Sequence, residues 1–464
     1  MGSTTYEPRA TNNDPRRTNH DATNHDARTT IPPPRRYTHV CMRIVITTFG
    51  SYGDLHPYLA LGRGLKRRGH TVVIATSAGY RASVEQAELE LAPIRPDLND
   101  FGPFAEVARR VYDPRKGAQY IVRELMIPSL AATYDDLQAA ARGADLLVTH
   151  ALSYAGHLLA RAEHIRWVST ILSPMVFMST YEPPLLPPAP WLRSLWRFSP
   201  ALYRLVFRAM KIAALSWTGP IRAFCRQRGL PLPEAHPLFE NQYSPYATLA
   251  LFSPLLATPQ PDWPANTHVT GFCTYQDASP DPELATRIDN FLAHGEAPIV
   301  FTLGSSAVYV ADDFYAQSIE IARRLKRRAL LLTGPRSDAA ERLDVGPDVL
   351  AIEYAPYPNV LPRAAAVVHQ CGIGTLAHAM HAGHPMLIVP FSHDQPDNAE
   401  RAARLNIARI IARKRFTVQS GAQALCELLA NPLYSSASRE VARKLEMEDG
   451  VRAACDVLER VMTG

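Results

Sequence analysis

Residues 369–395 bring together most of the groups in this chain that could bind a phosphorylated, hydroxylated ligand. Gly372 and Gly374 allow a backbone to approach a ligand closely, and Thr375 adds a hydroxyl donor. His369 adds an imidazole. Asp394 and Gln395 follow, and their paired acceptors and donors suit vicinal hydroxyl groups. The segment therefore predicts a site for a phosphate and a sugar-like group.

The elements around these residues form a predicted β-loop-α-β unit. Residues 364–368 are a short apolar run that predicts a strand, and a helix is expected from Thr375 to about residue 382. Gly383 is predicted to end that helix in a left-handed conformation, before a strand at 385–390. A helix N-terminus after a glycine turn favours an anion. The alternative is a tight turn before an ordinary helix.

A second glycine turn lies near the start of the folded sequence. Residues 44–48 predict a strand, 49–54 a turn, 56–68 a helix and 71–76 a second strand. Asp54 would then lie beside the carboxyl end of a strand, where it can face a cleft. The alternative is that Asp54 caps the helix that follows, since Asp is a preferred capping residue.

The first segment resembles the donor-binding signature of the inverting UDP-dependent glycosyltransferases. The matching residues are His369, Gly372, Gly374-Thr375, Gly383-x-Pro385, Pro390, Asp394-Gln395 and, upstream, Tyr354-Ala355-Pro356. The resemblance implies that His369 and loop 372–375 hold the diphosphate, that Tyr354 stacks on the uracil, and that Asp394 and Gln395 bind the sugar. It also implies the GT-B architecture, an α/β fold of two Rossmann-like domains facing across a cleft.

Two residues depart from the family pattern. Cys371 stands where relatives generally have glycine, and a side chain there could crowd the phosphate loop. Ala377 stands where the plant enzymes carry a ribose-binding Glu, which leaves the ribose contact unassigned, with His378 as a weak substitute.

The turn at 50–57 resembles the amino-terminal motif of bacterial lipid, sterol and glycopeptide-antibiotic glycosyltransferases, in which the Asp is placed as the base. This resemblance makes Asp54 the expected base, with Ser51 and Gly53 assigned to the donor site. His150, at the end of a predicted strand, is expected to orient or tune Asp54, or else to line the acceptor pocket. His56 is the next candidate for the base.

The implied reaction removes a proton from an acceptor alcohol while a diphosphate departs. Ser305 and Ser306, after a predicted strand at 298–303, resemble the phosphate-side loop of the family. The expected product is the inverted glycoside. The expected donor is UDP-glucose, although dTDP-sugars would meet similar residues. No cofactor is expected, and no metal either, because no DxD-type carboxylate pair lies near the site.

Composition and charge exclude several classes of protein. The chain has 464 residues, more than one core usually takes, and a net charge of +5 that predicts no nucleic-acid surface. The six cysteines form no close pairs, which argues against a zinc site or a disulfide framework and favours a reducing cytosol. Residues 1–41 are polar, repeat the sequence TNHDA, and are predicted to be a disordered tail.

The domain organisation can also be predicted. We expect an acceptor domain at 42–252, a linker rich in Pro, Thr, Asp and Gly at 253–283, and a nucleotide-sugar domain at 284–437. Helices at 438–464 are expected to cross back to the first domain, as they do in the family that the chain resembles.

The stretch 183–233 contains no acidic residue. Its basic residues begin with Arg193, Arg197, Arg204, Arg208 and Lys211, whose spacing places them on one helical stripe. Apolar residues fall largely outside that stripe, and Pro200 must begin or kink the helix. An amphipathic basic helix suits an anionic membrane surface, so peripheral contact through 191–217 is one expectation. A solvated basic face above an ordinary packed helix is the other.

Three other functions remain open at this stage. A UDP-sugar epimerase shares the architecture but does not need the Asp394-Gln395 pair. A transferase of the peptidoglycan lipid-intermediate type would use UDP-N-acetylglucosamine. A protein that only binds a nucleotide sugar or a lipid would keep the fold without the chemistry. The acceptor itself cannot be named, because acceptor pockets in this superfamily are built from variable loops.

Overall fold

The computed structural model of the protein describes residues 41–276, 281–334 and 346–463. The predicted tail therefore lies outside the described residues, except for Cys41. The described chain contains two parallel β-sheets with helices around them, so the prediction of two α/β domains is confirmed.

The first domain has a seven-stranded sheet in the order β3-β2-β1-β4-β5-β6-β7. The strands are β1 (Arg43–Thr47), β2 (Thr71–Thr76), β3 (Glu90–Pro93), β4 (Leu146–His150), β5 (Trp167–Ile171), β6 (Thr248–Ala250) and β7 (Thr267–Val269). The helices are α1 (Tyr52–Arg67), α2 (Arg81–Gln86), α3 (Phe104–Val111), α4 (Gly117–Tyr120), α5 (Leu130–Ala140), α6 (Tyr154–Ala162), α7 (Trp191–Phe198), α8 (Pro200–Ala214) and α9 (Gly219–Arg228).

The second domain has a six-stranded sheet in the order β10-β9-β8-β11-β12-β13. The strands are β8 (Ile299–Thr302), β9 (Ala329–Leu332), β10 (Val349–Ile352), β11 (Ala366–His369), β12 (Met386–Ile388) and β13 (Ala408–Ile410). The helices are α10 (Pro282–Ala293), α11 (Phe314–Leu325), α12 (Tyr357–Val360), α13 (Ile373–Ala382), α14 (Gln395–Arg404), α15 (Val418–Ala430), α16 (Pro432–Leu445) and α17 (Gly450–Thr463).

The strand order determines where a ligand can bind. In both sheets the first strand of the domain pairs with the second on one side and the fourth on the other, as in doubly wound folds. Ligands of such sheets bind beyond the carboxyl ends of the strands, where the order reverses. In the first domain this point lies between β1 and β4, and in the second between β8 and β11.

Hydrophobic burial explains why these strands are short apolar runs. All five residues of β4 and all four of β8 are buried, because helices cover both faces of each sheet. The polar residues therefore collect at the strand ends. His150 ends β4, and His369 at the end of β11 pairs in register with Thr302 at the end of β8.

The last two helices pack on different domains. Helix α16 lies against α13 of the second domain, whereas α17 returns to α1 of the first. Ala454, Cys455 and Leu458 of α17 share a buried cluster with Leu61 and Leu65 of α1. Arg68 donates hydrogen bonds of 2.7 Å to Asp456 and Glu459, which fix the end of α1 to the same helix.

Three predicted boundaries require correction. Helix α1 begins at Tyr52 rather than near residue 56, because Ser51 already caps it. Helix α13 begins at Ile373 rather than Thr375. The predicted linker contains β7, which pairs with β6 and is an edge strand of the first sheet. A strand of three residues is too short to show a periodic pattern in the sequence.

Candidate active site

A cavity of about 650 Å³ lies between the two domains. Residues from the carboxyl ends of both sheets line it, as expected for this strand order. The predicted site residues on its wall are Ser51, Gly53, Ser305, Tyr354, Gly374 and Thr375. Tyr354 is 44% exposed. Six residues predicted from four separate stretches of the sequence thus share one surface.

The N-termini of helices α13 and α1 lie against each other at the edge of this cavity. A Cβ atom placed on Gly374 in the first turn of α13 would lie only 3.8 Å from the Cα atom of Gly53 in the first turn of α1. Helix N-termini carry partial positive charge and unsatisfied N–H groups. A helix N-terminus whose N–H groups are left open on this wall therefore favours an anionic group.

The start of α13 has no side-chain cap. Its N-cap residue is Gly372, and no side chain of a described residue caps its first turn. The glycine turn after β8 lies beside it: Gly304 has a φ of +68°, and a Cβ there would be 2.4 Å from Gln370 Nε2. Gln370 Nε2 is in turn 3.5 Å from the Thr375 hydroxyl. The two loops pack closely enough that only glycine fits at 304.

His369 is fully buried, and burial lowers its pKa to about 3. It is therefore neutral at physiological pH. Its Nδ1 atom accepts a hydrogen bond of 3.2 Å from the Cys371 N–H, which assigns the ring proton to Nε2. Nε2 has no hydrogen-bond partner among the described residues. The imidazole thus retains one buried donor that is available beside the loop.

Cys371 does not crowd the cavity. Its side chain is fully buried in a hydrophobic cluster, and the cavity wall does not include it. Its φ of +72° is left-handed, a conformation that glycine adopts without strain. The backbone conformation at 371 is thus one that suits the glycine of the relatives, while the thiol points into the core.

Asp54 lies in the first turn of α1, where it completes a capping box with Ser51. Its Oδ2 atom accepts hydrogen bonds from the Ser51 N–H at 2.8 Å and the Ser51 hydroxyl at 3.2 Å. A Cβ on Gly50, whose φ is +135°, would lie 2.2 Å from the same oxygen. Asp54 therefore does cap the helix, but the capping hydrogen bonds use Oδ2 and leave Oδ1 out of the capping box. The side chain of Asp54 is still 33% exposed.

His150 approaches the other oxygen of Asp54. The distance from His150 Nε2 to Asp54 Oδ1 is 3.8 Å, which is too long for a hydrogen bond but close enough for electrostatic interaction. Burial lowers the pKa of His150, and the charge of Asp54 opposes that effect. A neutral imidazole thus lies behind the carboxylate at the point where the first sheet reverses its strand order.

Asp394 and Gln395 lie at the start of α14 and are not part of the cavity wall. Gln395 Oε1 accepts hydrogen bonds from the N–H groups of Phe391 and Ser392. Asp394 Oδ2 accepts one of 2.6 Å from Asn398 Nδ2. The pKa of Asp394 is raised to about 7, because burial raises it, the hydrogen bond from Asn398 offsets part of the rise, and the charge of Asp54 adds to it. The two carboxylates thus interact across the domains.

Two family models match the chain: the glycosyltransferase family 28 N-terminal domain at residues 44–134, and the erythromycin biosynthesis protein CIII-like C-terminal domain at residues 331–450. O-mycaminosyltylonolide 6-deoxyallosyltransferase of Streptomyces fradiae is 32% identical over 431 residues, which cover 90% of this chain and 97% of that protein. The chain belongs to the UDP-glycosyltransferase superfamily.

Other relatives and solved structures agree with this assignment. A sterol 3-beta-glucosyltransferase of Cryptococcus neoformans is 26% identical over 446 residues, which cover 90% of this chain and 27% of that protein. The glycosyltransferase of kitacinnamycin superposes with a TM-score of 0.67 at 22% identity, covering 91% of this chain and all of that one. Glycosyltransferase VinC, solved in complex with dTDP, superposes with a TM-score of 0.64 at 20% identity, covering 91% of this chain and all of that one. The predicted GT-B fold and the prediction of a glycosyltransferase enzyme are confirmed.

Only some of the predicted site residues of this glycosyltransferase line the cavity. Asp54, His150, Ser306, His369, Gly372, Asp394 and Gln395 are absent from the cavity wall. Their assigned roles remain predictions, as do the roles of all the predicted residues that line the cavity. Ala377 and His378 do line the cavity, and burial lowers the pKa of His378 to about 4. Ala377, which replaces the ribose-binding Glu of the plant enzymes, therefore lies on the cavity wall beside the neutral imidazole of His378.

The sequence analysis missed several residues of the glycosyltransferase site. Gln370 directly follows His369, and Asn398 lies three residues after Gln395. Their closeness to these motif residues could have identified them from the sequence. Tyr357 packs edge to face on His378 and lies 3.0 Å from the Thr302 hydroxyl. Tyr112 reaches the second domain from α3 of the first, and nothing in its local sequence indicates that contact.

In ranges 41–276, 281–334 and 346–463, no three His, Cys, Asp or Glu side chains converge as metal ligands would. No helix within the described part of the chain has the length and apolar character needed to span a bilayer.

Proposed function

We propose that this glycosyltransferase transfers a hexose from a nucleotide sugar to a hydroxyl group of a hydrophobic small-molecule or lipid acceptor, with inversion at the anomeric carbon. The proposed donor is UDP-glucose. The observation that carries the proposal is the opposed pair of helix N-termini, in which the first turn of α13 is uncapped and the first turn of α1 carries Asp54.

The donor side of the proposal is supported by the groups around α13. The uncapped helix end, the Ser305 hydroxyl and the buried Nε2 donor of His369 all favour a diphosphate. Tyr354 offers a partly exposed ring on the cavity wall for the nucleobase. The charge of the leaving group can be balanced by these donors, so the proposal does not need a metal ion.

The nucleoside is the open part of the donor assignment. Ala377 offers no carboxylate for ribose hydroxyls, and VinC was solved with dTDP. A thymidine diphosphate sugar is therefore the second donor class to be tested beside UDP-glucose.

The proposed chemical step uses Asp54 as the base. The acceptor oxygen bonds to the anomeric carbon as the bond from that carbon to the diphosphate breaks, and the acceptor proton passes to the Asp54 carboxylate. Oδ1 is the oxygen not engaged in the capping box. His150, behind it, is proposed to tune this carboxylate rather than to contact the substrate.

The acceptor assignment rests on the cavity and on the relatives. The relatives' names specify O-mycaminosyltylonolide in one case and a sterol in the other. The cavity wall of this chain includes Leu172, Leu251, Phe272 and Ile373, which suit an apolar molecule.

The test is a panel of UDP-glucose, UDP-N-acetylglucosamine and dTDP-glucose, each incubated with hydrophobic alcohols and sterols in the presence of EDTA. Acceptor-dependent release of the nucleoside diphosphate, together with a β-linked product, is the expected result. Sugar interconversion without release would indicate an epimerase instead. Binding without turnover across the whole panel would overturn the proposal in favour of a binding protein.

We also propose that helices α7 and α8 contact an anionic membrane surface. The predicted single stripe is divided, because Ser199 is extended and separates the two helices. Arg193 lies 3.8 Å from Asp397, and Lys211 pairs with Glu240. No carboxylate of a described residue pairs with Arg197, Arg204 or Arg208, all of which are exposed.

Beside these arginines lies an exposed apolar face. Phe198 is 86% exposed, Leu205 65% and Ile212 60%, while Tyr203 and Phe207 pack inward. A symmetric contact between two copies through this face would bring the arginines together, which is unfavourable. Anionic lipid offers both the apolar and the charged counterpart.

Flotation with vesicles of phosphatidylcholine, with and without phosphatidylglycerol, tests this contact. We expect salt-sensitive binding to the anionic vesicles, which the double variant Phe198→Ser/Leu205→Ser should lose. Leu433→Ser, which changes an exposed leucine on α16, is the matched control. Absence of binding by the unmodified protein, or equal loss in the control variant, would overturn the proposal.

A further inference from the structure

Helix α3 belongs to the first domain in sequence but packs on the second. Ala108 and Tyr112 lie in the buried apolar cluster that includes Val308, Val310 and Phe391 of the second domain. The helix lies against the turn that follows Ser306. A segment of the first domain thus packs directly on the turn that follows Ser306 in the second domain.

Tyr112 makes two specific contacts with the second domain. Its oxygen is 2.5 Å from Ser306 Oγ, and its ring packs edge to face on His393 with 5.4 Å between ring centroids. Only 8% of the residue is exposed. The side chain therefore has a defined position between the Ser306 loop and the start of α14.

The protonation state of Tyr112 follows from the same surroundings. Its pKa is raised to about 12, because burial and the charges of Asp394 and Asp54 raise it more than hydrogen bonding to Ser306 and Gln395 lowers it. The phenol therefore keeps its proton at physiological pH. It can donate one hydrogen bond and accept another.

The partners of this hydroxyl are the groups that would suit a sugar hydroxyl. Gln395 Oε1 is already occupied by two backbone N–H groups, so its side-chain NH₂ is the part left for a ligand or for Tyr112. Asp394 lies next in sequence and Ser306 opposite. A phenolic hydroxyl held among a serine, an amide and a carboxylate marks a position with the polarity of a carbohydrate site.

We propose that Tyr112 determines donor-sugar specificity, because its hydroxyl binds one hydroxyl group of the transferred sugar beside Gln395 and Ser306. This inference rests on the proposed glycosyl transfer. It assigns to the acceptor domain one of the contacts by which the enzyme recognises its donor. The sugar pocket is then complete only while α3 lies against the second domain.

The test compares the unmodified enzyme with Tyr112→Phe, each assayed with donors that lack one sugar hydroxyl group. Steady-state kinetics are measured with the parent donor, UDP-glucose or dTDP-glucose, and with its 2-, 3-, 4- and 6-deoxy analogues. In the unmodified enzyme, removal of the contacted hydroxyl should lower kcat/KM by about 3- to 10-fold, the effect of one neutral hydrogen bond. In Tyr112→Phe that penalty should disappear for one analogue and persist for the others.

The variant keeps the ring against His393, so it should fold and melt close to the unmodified protein. Tyr134→Phe is the matched control, since Tyr134 is buried against Phe224 in a different hydrophobic cluster, within the first domain. Control and parent should show the same penalties for all analogues.

Two results would overturn the inference. Equal loss of kcat/KM for every donor in Tyr112→Phe would mean that the residue only holds the domains together. Unchanged kinetics would mean that the hydroxyl has no role. Neither result affects the proposed function, which fails separately if the unmodified enzyme transfers no sugar from any parent donor.

Discussion

The two helix N-termini that meet at the cavity differ in how their first turns are satisfied. Helix α1 closes its own end: Ser51 accepts a hydrogen bond from the Gly53 N–H, and Asp54 accepts one from Ser51. Helix α13 begins at Ile373, and its N-cap residue Gly372 has no side chain to cap it. A capped end with a carboxylate disfavours an anion, whereas an uncapped end attracts one.

This difference divides the site into two chemical halves. The diphosphate is expected at α13, where the N–H groups are open, and the base at α1, where a negative charge is already held in place. The same local motif, a glycine turn before a helix, thus supports opposite roles according to the side chains that follow it.

The largest effect is expected from Asp54→Asn. Loss of a general base should lower kcat by about 10²- to 10⁴-fold, while UDP affinity, measured by calorimetry, should change little. Asparagine can still accept the hydrogen bond from the Ser51 N–H, so the capping box should survive. His150→Ala should weaken turnover to a smaller extent.

Asp100→Asn is the control for that experiment. Asp100 holds the equivalent position in the capping box of Asp97, and it does not line the cavity. It should leave transfer unchanged. Full activity in Asp54→Asn would place the base elsewhere, with His56 on the cavity wall as the next candidate.

A pair of glycine variants compares the two helix ends directly. Gly374→Ala should weaken nucleoside diphosphate binding by about 10-fold, because a methyl group would fill the space that an anion needs above the uncapped turn. Gly53→Ala should change it by less than about 2-fold if α1 does not bind the anion. Both methyl groups would meet only ordinary contacts, at 3.8 and 3.5 Å, so neither should unfold the protein.

Equal loss of affinity in the two glycine variants would contradict this division. It would instead support the assignment of Ser51 and Gly53 to the donor. Thermal melting of both variants checks that the fold is retained.

Asp394 and Asp54 are two carboxylates that interact across the cleft. Burial and the charge of Asp54 hold the pKa of Asp394 at about 7, above the value near 3.9 expected in the unfolded chain. Ionisation of Asp394 therefore costs stability, and this cost grows as pH rises from about 4 and is complete above about 7. Asp394→Asn should raise the melting temperature more at pH 8 than at pH 5.

The unmodified protein measured at both pH values provides the reference for that comparison. An equal change at the two pH values would show that Asp394 does not carry a raised pKa. The variant should also bind the donor more weakly, since asparagine accepts fewer hydrogen bonds than a carboxylate.

The smallest effect concerns the turn before α13. Cys371→Gly should leave kcat/KM within about 2-fold, because the thiol lies in the core and glycine suits a positive φ. In the unmodified protein, burial raises the pKa of the Cys371 thiol, so thiol reagents should label exposed Cys426 and spare Cys371. Rapid labelling of Cys371 in the native state would refute its placement in the core.

The sequence predicted the elements that carry the site better than the contacts within it. Strand β2 and the glycine end of α13 agree with the structure, because apolar runs and a left-handed Gly383 leave local signals. The start of α1 was misplaced by four residues, since the sequence analysis assigned 49–54 to a turn. A capping box needs only Ser51 and Asp54, three residues apart, and this spacing could have located it.

What the sequence determined by itself was the pair of glycine turns, the motif that indicates a nucleotide-sugar donor, and the two-domain α/β organisation. These features depend on residues close together in the chain. Only the tertiary structure decided that Gly53 faces Gly374, that Asp54 and Asp394 interact across the domains, and that Tyr112 reaches Ser306. Those contacts join residues between about 190 and 340 positions apart, and they form only when two separately wound sheets pack with their carboxyl ends together.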